Sequence, residues 1–180
     1  FGIRPLPNLE TKFVAANTLI GLEKPKQLTM LDSEVEKLEK ELASIRHKIF
    51  YTRKYSEKKV LKKKEKEKRE ALKDALINSS FSKDTATQIS EWNPFDPMHS
   101  ASFFDPETMF DVKDGFDVLI GNPPYINISN LKPDEYRLVL RNRFRSAKNK
   151  SDTYAFFLEH GFSLLHSRGT LTYIIPQTWK

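Results

Sequence analysis

The sequence predicts an α/β fold in which part of a parallel sheet is interrupted by a long helical hairpin. Three observations predict it. Val118, Leu119 and Ile120 form a short apolar run that ends in Gly121 and a proline pair. A second apolar run, "TLTYIIP" (residues 170–176), closes a stretch with helical patterning. Between residues 31 and 49, apolar side chains recur at alternating steps of four and three.

The helical hairpin comes first in the chain. Leu31, Val35, Leu38, Leu42, Ile45 and Ile49 make a coiled-coil stripe about 20 residues long, roughly 30 Å of helix. Ser33 with Glu36, or Thr29 with Asp32, offers a capping box at its start. After a break at residues 51–56, a second helix is expected to run to Asn78 and fold back antiparallel. Its Val60 and Leu61 are expected to meet Ile49, and its Leu72 and Leu76 the region of Leu31. Its middle, "KKKEKEKRE" (residues 62–70), has nothing apolar to offer Leu38 and Leu42. Part of the stripe is therefore expected to lie open for another chain or domain to cover.

The run Val118–Leu119–Ile120 reads as a strand covered on both faces. Pro123 and Pro124 lack backbone N–H groups and hold their predecessors extended, so the strand passes into a stiff loop. Ligands bind at such carboxyl ends in open α/β sheets. A plain strand-ending turn accounts for any Asn-Pro, but "NPPY" (residues 122–125) offers narrower chemistry. An exocyclic amine on an aromatic base is a poor nucleophile, because its lone pair is delocalised into the ring. Asn122 supplies a side-chain oxygen and Pro123 a rigid carbonyl, two acceptors able to hold such an amine out of plane. Tyr125 supplies a face on which an extruded base can stack.

Beyond the loop, "YRLVLRNRFRSAKNKSD" (residues 136–152) interleaves Arg137, Arg141, Arg143, Arg145, Lys148 and Lys150. A patch of this kind beside Asn122 suits phosphates that flank a flipped base better than it suits a merely solvated face. Asp152 or Ser151 can cap a helix in which Tyr154, Phe157, Leu158, Gly161, Leu164 and Leu165 share a face. Gly169 is expected to end that helix before the strand at 170–176. Strand, helix and strand then form a right-handed crossover.

Composition bounds the remainder. The 180 residues are 38% hydrophobic and 30% charged, a lean supply for a core. Charge falls in blocks: residues 53–73 hold eleven Lys/Arg against four Glu, residues 91–117 seven acids against Lys113, and residues 132–150 seven basic against two acidic. On the first basic block a solvated helix face outweighs phosphate contact. In the acidic block, Asp96, Asp105, Asp111, Asp114 and Asp117 match no calcium or nuclease spacing, so no metal is expected. Absence of cysteine excludes disulfides and thiolate chemistry. The histidines (His47, His99, His160 and His166) show no ligand spacing, and no apolar run reaches the length of a membrane span. A bacterial cytoplasmic setting is expected, and a start at Phe1 suggests a piece of a longer protein.

Residues 122–125 resemble the catalytic motif of the adenine-specific DNA amino-methyltransferases, which use S-adenosylmethionine; protein-glutamine amide methyltransferases carry the same tetrapeptide. The flanks "WNPFDP" (92–97), "FFDPETMF" (103–110), "GFDVLIGNPPYI" (115–126), "SDTYAFFLEHGFSLL" (151–165) and "GTLTYIIPQTW" (169–179) are similar to the modification half of type IIG restriction-modification enzymes. "PLPNLETKFVAANTLI" (5–20) extends the similarity upstream. The resemblance implies a partial Rossmann-like methyltransferase sheet in which residues 12–19 form the third strand, residues 28–90 a helical-hairpin insertion and residues 91–180 the catalytic unit, with residues 1–27 as the first segment. It implies catalytic roles for Asn122, Pro123 and Tyr125, substrate contacts from Pro124, Arg141, Arg143 and Arg145, and a cofactor contact from Asn17, which stands where many relatives have Asp.

The six glycines make no glycine-rich cofactor turn, and in this family that turn lies upstream. The expected partners are double-stranded DNA and the missing N- and C-terminal domains of the parent enzyme. The isolated chain is expected to be inactive, to bind the cofactor weakly and to self-associate, through an unpaired edge strand at 12–19 and the open helical stripe. Two alternatives stay open: a protein-glutamine amide methyltransferase, and a coiled-coil interaction module.

Overall fold

The computed structural model describes residues 6–25, 32–147 and 151–177. The chain divides into two compact units, Phe1–Asp111 and Val112–Lys180. Helices and a small parallel two-stranded sheet give it a mixed α/β character.

The first unit is built on helices α1 (Ser33–Tyr51) and α2 (Tyr55–Ile77), followed by α3 (Lys83–Glu91) and the single turn α4 (Pro106–Phe110). Contacts pair Arg46 with Glu65, Glu41 with Lys68 and Asp32 with Ser80, so α1 and α2 run antiparallel. The stripe drives the packing: Val35, Leu38 and Leu42 are buried with Leu72 and Leu76 of α2 and Ile89 of α3. The expected open stretch at Leu38 and Leu42 is thus corrected. Helix α3 and Leu22, Ala75, Phe81 and Ala86 close over the cluster from within the chain, which removes one of the two reasons for self-association. Val60 is exposed rather than packed on Ile49, and Leu31 and Thr29 lie outside the described residues.

The middle of α2 meets α1 through charge. Glu65 has no exposed surface; its Oε1 accepts from Arg46 Nη2 at 2.9 Å and Nε at 3.1 Å, and its Oε2 from Arg69 Nε at 2.8 Å. Arg46 also donates to the Thr108 carbonyl at 3.1 Å and lies over the Trp92 ring, 4.7 Å from its centre. Burial pulls its guanidinium below the ordinary arginine value, with Glu65 pulling the other way. The outer lysines of α2 pair with acids: Lys58 and Lys62 with Glu10, Lys68 with Glu41, Lys63 with Glu67 and Lys66 with Glu70.

Helix ends are closed by both tertiary and local contacts. Asp32 stands at the N-cap of α1 without capping it, because its carboxylate accepts from Ser80 N–H and Ser80 Oγ. The helix thus starts one residue after Asp32 rather than after Ser33, and Thr29 of the other expected capping box lies outside the described residues. At the other end Asn8 Nδ2 donates to the carbonyls of Ile49 and Thr52, taking up acceptors the last turn leaves open. Ser82 caps α3 and Asp105 caps α4 locally, each accepting from the N–H three residues on.

Residues 12–19 are not a strand. The segment makes one parallel bridge, Ala16 to Ala101, closed by Asn17 N–H to Ala101 O and Ala101 N–H to Ala15 O. A strand needs a ladder, and among the described residues no further neighbour pairs with this one. Its apolar residues Val14 and Ala16 pack instead on the cluster of Trp92, Ala101, Phe103 and Met109.

In the second unit, β1 (Phe116–Gly121) pairs in parallel with β2 (Leu165–Tyr173), and α5 (Asp134–Arg143) and α6 (Thr153–Leu164) lie between them in sequence. Helix α6 ends at Leu164 and passes directly into β2, ahead of the stop expected at Gly169. Its buried residues are Thr153, Phe156, His160 and Gly161, of which Gly161 alone belongs to the predicted face. Phe156 stacks on Phe144 and His160 meets the same ring edge-on, so the helix turns toward α5 and the segment after it. Gly161 packs beneath the side chains of Leu171 and Tyr173, which covers one face of the sheet. The other face carries Val118 and Ile120, exposed at 57% and 80%. The expectation of a strand covered on both faces is corrected, because β1 has one strand neighbour and one helical layer among the described residues.

Gly115 enters β1 with φ +89, and a Cβ there would stand 2.6 Å from His166 N and Leu165 C. Gly115→Ala is therefore expected to part the start of β1 from β2 and cost about 1–3 kcal/mol. A lower midpoint in urea unfolding checks it, and an unchanged midpoint refutes it.

Candidate active site at the carboxyl end of the first strand

Strand β1 delivers the loop 122–125. At Gly121 the strand passes under the Tyr173 ring, where a Cβ would come within 2.9 Å of Cε1, so a larger residue would have to displace that ring. The Gly121 carbonyl accepts from Ile174 N–H at 3.1 Å and prolongs the ladder by one bond beyond β2. Pro123 is buried, whereas Asn122, Pro124 and Tyr125 face outward. The prolines thus anchor and stiffen the loop while Asn122 and Tyr125 stay accessible.

Tyr125 Oη lies 2.7 Å from Asn122 Oδ1 and 2.8 Å from the Ile174 carbonyl. One hydroxyl proton serves two acceptors, so each bond is partial. The Tyr125 ring meets Tyr154 edge-on at 6.4 Å, and 48% of Tyr125 remains exposed. Burial raises the pKa of the nearby Tyr173 phenol.

The start of α6 is bound to the far side of the loop. Residues 127 and 152 form an antiparallel bridge; Ile128 N–H donates to Ser151 O at 3.0 Å and Thr153 N–H to Ile126 O at 2.8 Å. Thr153 Oγ1 donates to Pro124 O at 2.6 Å and accepts from Ile126 N–H at 3.2 Å. Asp152, predicted as a helix cap, accepts instead from Asn127 Nδ2 at 3.2 Å. Thr153, the Ile174 carbonyl and Tyr173 belong to the site but were not singled out from sequence. A hydroxyl in the first turn of a helix resembles any cap, and backbone carbonyls carry no side-chain signal.

Arg141 and Arg143 occupy the last turn of α5, and Arg145 opens the 3-10 turn Arg145–Ala147; all three are exposed. None makes a side-chain ion pair among the described residues, unlike Arg137, which pairs with Asp134 and bonds Ser129 O. The 3-10 turn is held by Glu159 of α6, which accepts from Arg145 N–H at 2.9 Å and Ser146 N–H at 2.8 Å. Partial burial pushes that carboxyl up, but these bonds and the nearby Arg145 charge outweigh it, leaving the pKa below the usual glutamate value. Lys148 and Lys150 lie outside the described residues.

Asn17 belongs to the first unit, where its N–H is taken by Ala101 O and its carbonyl by Ile20 N–H. The acids 96, 105 and 111 serve turns: Asp96 accepts from Met98 N–H and pairs with His99, Asp105 caps α4, and Asp111 closes it at φ 57. Among the described residues no group of three or more His, Cys, Asp or Glu is placed to hold a metal. No described helix is long and apolar enough to cross a membrane.

Fold and site define an α/β protein with an Asn-Pro-Pro-Tyr turn at the carboxyl end of a parallel strand. The chain belongs to the Eco57I restriction-modification methylase family, whose profile matches residues 12–180. It is 38% identical over 64 residues to the type II restriction enzyme and methyltransferase RM.Eco57I of Escherichia coli, covering 34% of this chain and 6% of that protein. It is 31% identical over 102 residues to the putative type II restriction enzyme and methyltransferase RM.MjaORFECS2P of Methanocaldococcus jannaschii, covering 57% and 8%. A match of 38% over 56 residues to the type II methyltransferase M.BstVI of Geobacillus stearothermophilus covers 31% and 10%. The matched stretches are thus a small part of these relatives' length. No solved structure matches the chain significantly.

Proposed function

We propose that the protein to which this chain belongs is an S-adenosylmethionine-dependent DNA methyltransferase that modifies the exocyclic amine of a flipped adenine in a restriction-modification system of the type IIG kind. The observation that carries the reading is the pairing of Asn122 Oδ1 with Tyr125 Oη at 2.7 Å beside a buried Pro123. A side-chain acceptor and an aromatic residue thereby meet at one strand end, with Pro123 next to Asn122 in the chain. Family membership and the names of the relatives point the same way.

In this reading Asn122 Oδ1 and the Pro123 carbonyl accept the amine hydrogens and stabilise the cation that develops on nitrogen. Tyr125 stacks on the extruded base and Pro124 keeps the loop extended against it. Arg141, Arg143 and Arg145, exposed and making no side-chain ion pair among the described residues, bind the flanking phosphates. S-adenosylmethionine, when bound, supplies the methyl group on a sulfonium. Of this chain's residues Asn17 would meet the cofactor's adenine. Its backbone is fixed by Ala101 and Ile20, which suits a rim contact, and no glycine-rich turn is present for the rest of that site. The two strands then belong to a Rossmann-like sheet and helices α1 and α2 to a helical insertion, within a cytoplasmic bacterial enzyme whose other domains lie outside this chain. The hairpin buries its own stripe, which favours an insertion over a coiled-coil docking module.

The test is to incubate the full-length protein with labelled S-adenosylmethionine, duplex DNA and a glutamine-bearing peptide. Label recovered as N6-methyladenine is the expected result. Label in the peptide, or in cytosine, overturns the reading.

A further inference from the structure

Thr153 stands at the first position of α6, only 3% exposed, and makes three hydrogen bonds to the loop that carries Tyr125. Its hydroxyl donates to Pro124 O at 2.6 Å and accepts from Ile126 N–H at 3.2 Å, and its own N–H donates to Ile126 O at 2.8 Å. The residues bound are those immediately before and after Tyr125. A first-turn N–H has no partner inside its own helix; here it is spent on the loop. The ring end of Tyr125 is held separately, by Asn122 Oδ1 and the Ile174 carbonyl. Tyr125 is therefore fixed at both ends, its backbone by α6 and its hydroxyl by the strand ends.

The two attachments differ in what substrate does to them. A hydrogen of a bound amine would compete with Tyr125 Oη for Asn122 Oδ1, so the hydroxyl bond to Asn122 yields during turnover. The bonds to Thr153 lie on the buried side, away from the exposed ring, and persist. We propose that Thr153 is a positioning residue for methyl transfer: its hydroxyl holds the backbone on either side of Tyr125, so that the ring keeps the extruded base in line with Asn122 and Pro123 as the Asn122–Tyr125 bond opens. This rests on the methyltransferase reading.

Valine matches threonine in shape but cannot bond Pro124 O or Ile126 N–H, whereas serine retains both bonds. In the full-length protein, Thr153→Val is expected to leave DNA affinity near the parent's and to lower the single-turnover rate by about tenfold or more through misplacement of the base. With 2-aminopurine at the target adenine, its bound emission should rise as stacking on Tyr125 loosens, and amide exchange at Ile126 should quicken. Thr153→Ser should restore rate, emission and exchange toward the parent. If the parent methylates adenine and Thr153→Val matches it in rate and emission, the positioning role is overturned alone. If both variants lose rate, thermal stability and DNA affinity together, Thr153 is merely packing and the proposal fails. A parent that methylates no adenine overturns the methyltransferase reading, and this role with it.

Discussion

Replacing Asn122 by alanine in the intact protein is expected to abolish methyl transfer while leaving DNA binding nearly unchanged. The lost group is an acceptor whose bond to the amine strengthens as nitrogen becomes cationic, so the loss falls on the transition state rather than on the bound ground state. Removing one electrostatic contact of this kind costs about 10²–10³-fold in rate. The geometry also explains why binding should survive. Tyr125 Oη has a second acceptor in the Ile174 carbonyl at 2.8 Å, so its ring stays in place when Asn122 Oδ1 is gone. Radiolabel incorporation together with fluorescence anisotropy on the same duplex separates the two effects. Turnover in the variant equal to the parent's would sink the assignment of Asn122 as catalytic.

The largest effect expected on stability is at Glu65, far from that site. Glu65→Ala strips the shared carboxylate from Arg46 and Arg69, whose guanidinium nitrogens stand 2.8–3.1 Å from it. Arg46, with side-chain exposure of only 11%, is then left as a buried charge bonded to the neutral Thr108 carbonyl. Breaking a buried pair from one side costs about 3–5 kcal/mol. By contrast Lys63→Ala removes an exposed contact to Glu67 at 3.9 Å, for which about 0–1 kcal/mol is expected. Urea unfolding followed through Trp92, which packs against the Arg46 guanidinium, compares the two variants directly. Equal midpoints would show that the Glu65 cluster adds nothing to the unit.

Local stereochemistry and helical period made two features of this protein determinate from sequence. The spacing of Val35, Leu38, Leu42 and Ile49 is a property of one helix, and all four are buried. Two prolines after Gly121 end a strand wherever it lies, and β1 ends at Gly121 with the loop 122–125 beyond it. What a residue meets across the fold was decided only by tertiary structure. Glu65 sits in a lysine run that reads as solvated, yet it is buried because Arg46 and Arg69 converge on it; no local pattern encodes that pairing. Residues 12–19 have strand-like composition, but a strand exists only with a ladder, and among the described residues they make a single bridge, at Ala101. Val118 and Ile120 are apolar enough for a covered strand, yet exposure depends on how many layers surround it. Thr153 follows the same rule: its residue type suits a helix cap, and only the fold of residues 126–128 against 151–153 turns that hydroxyl toward the loop bearing Tyr125.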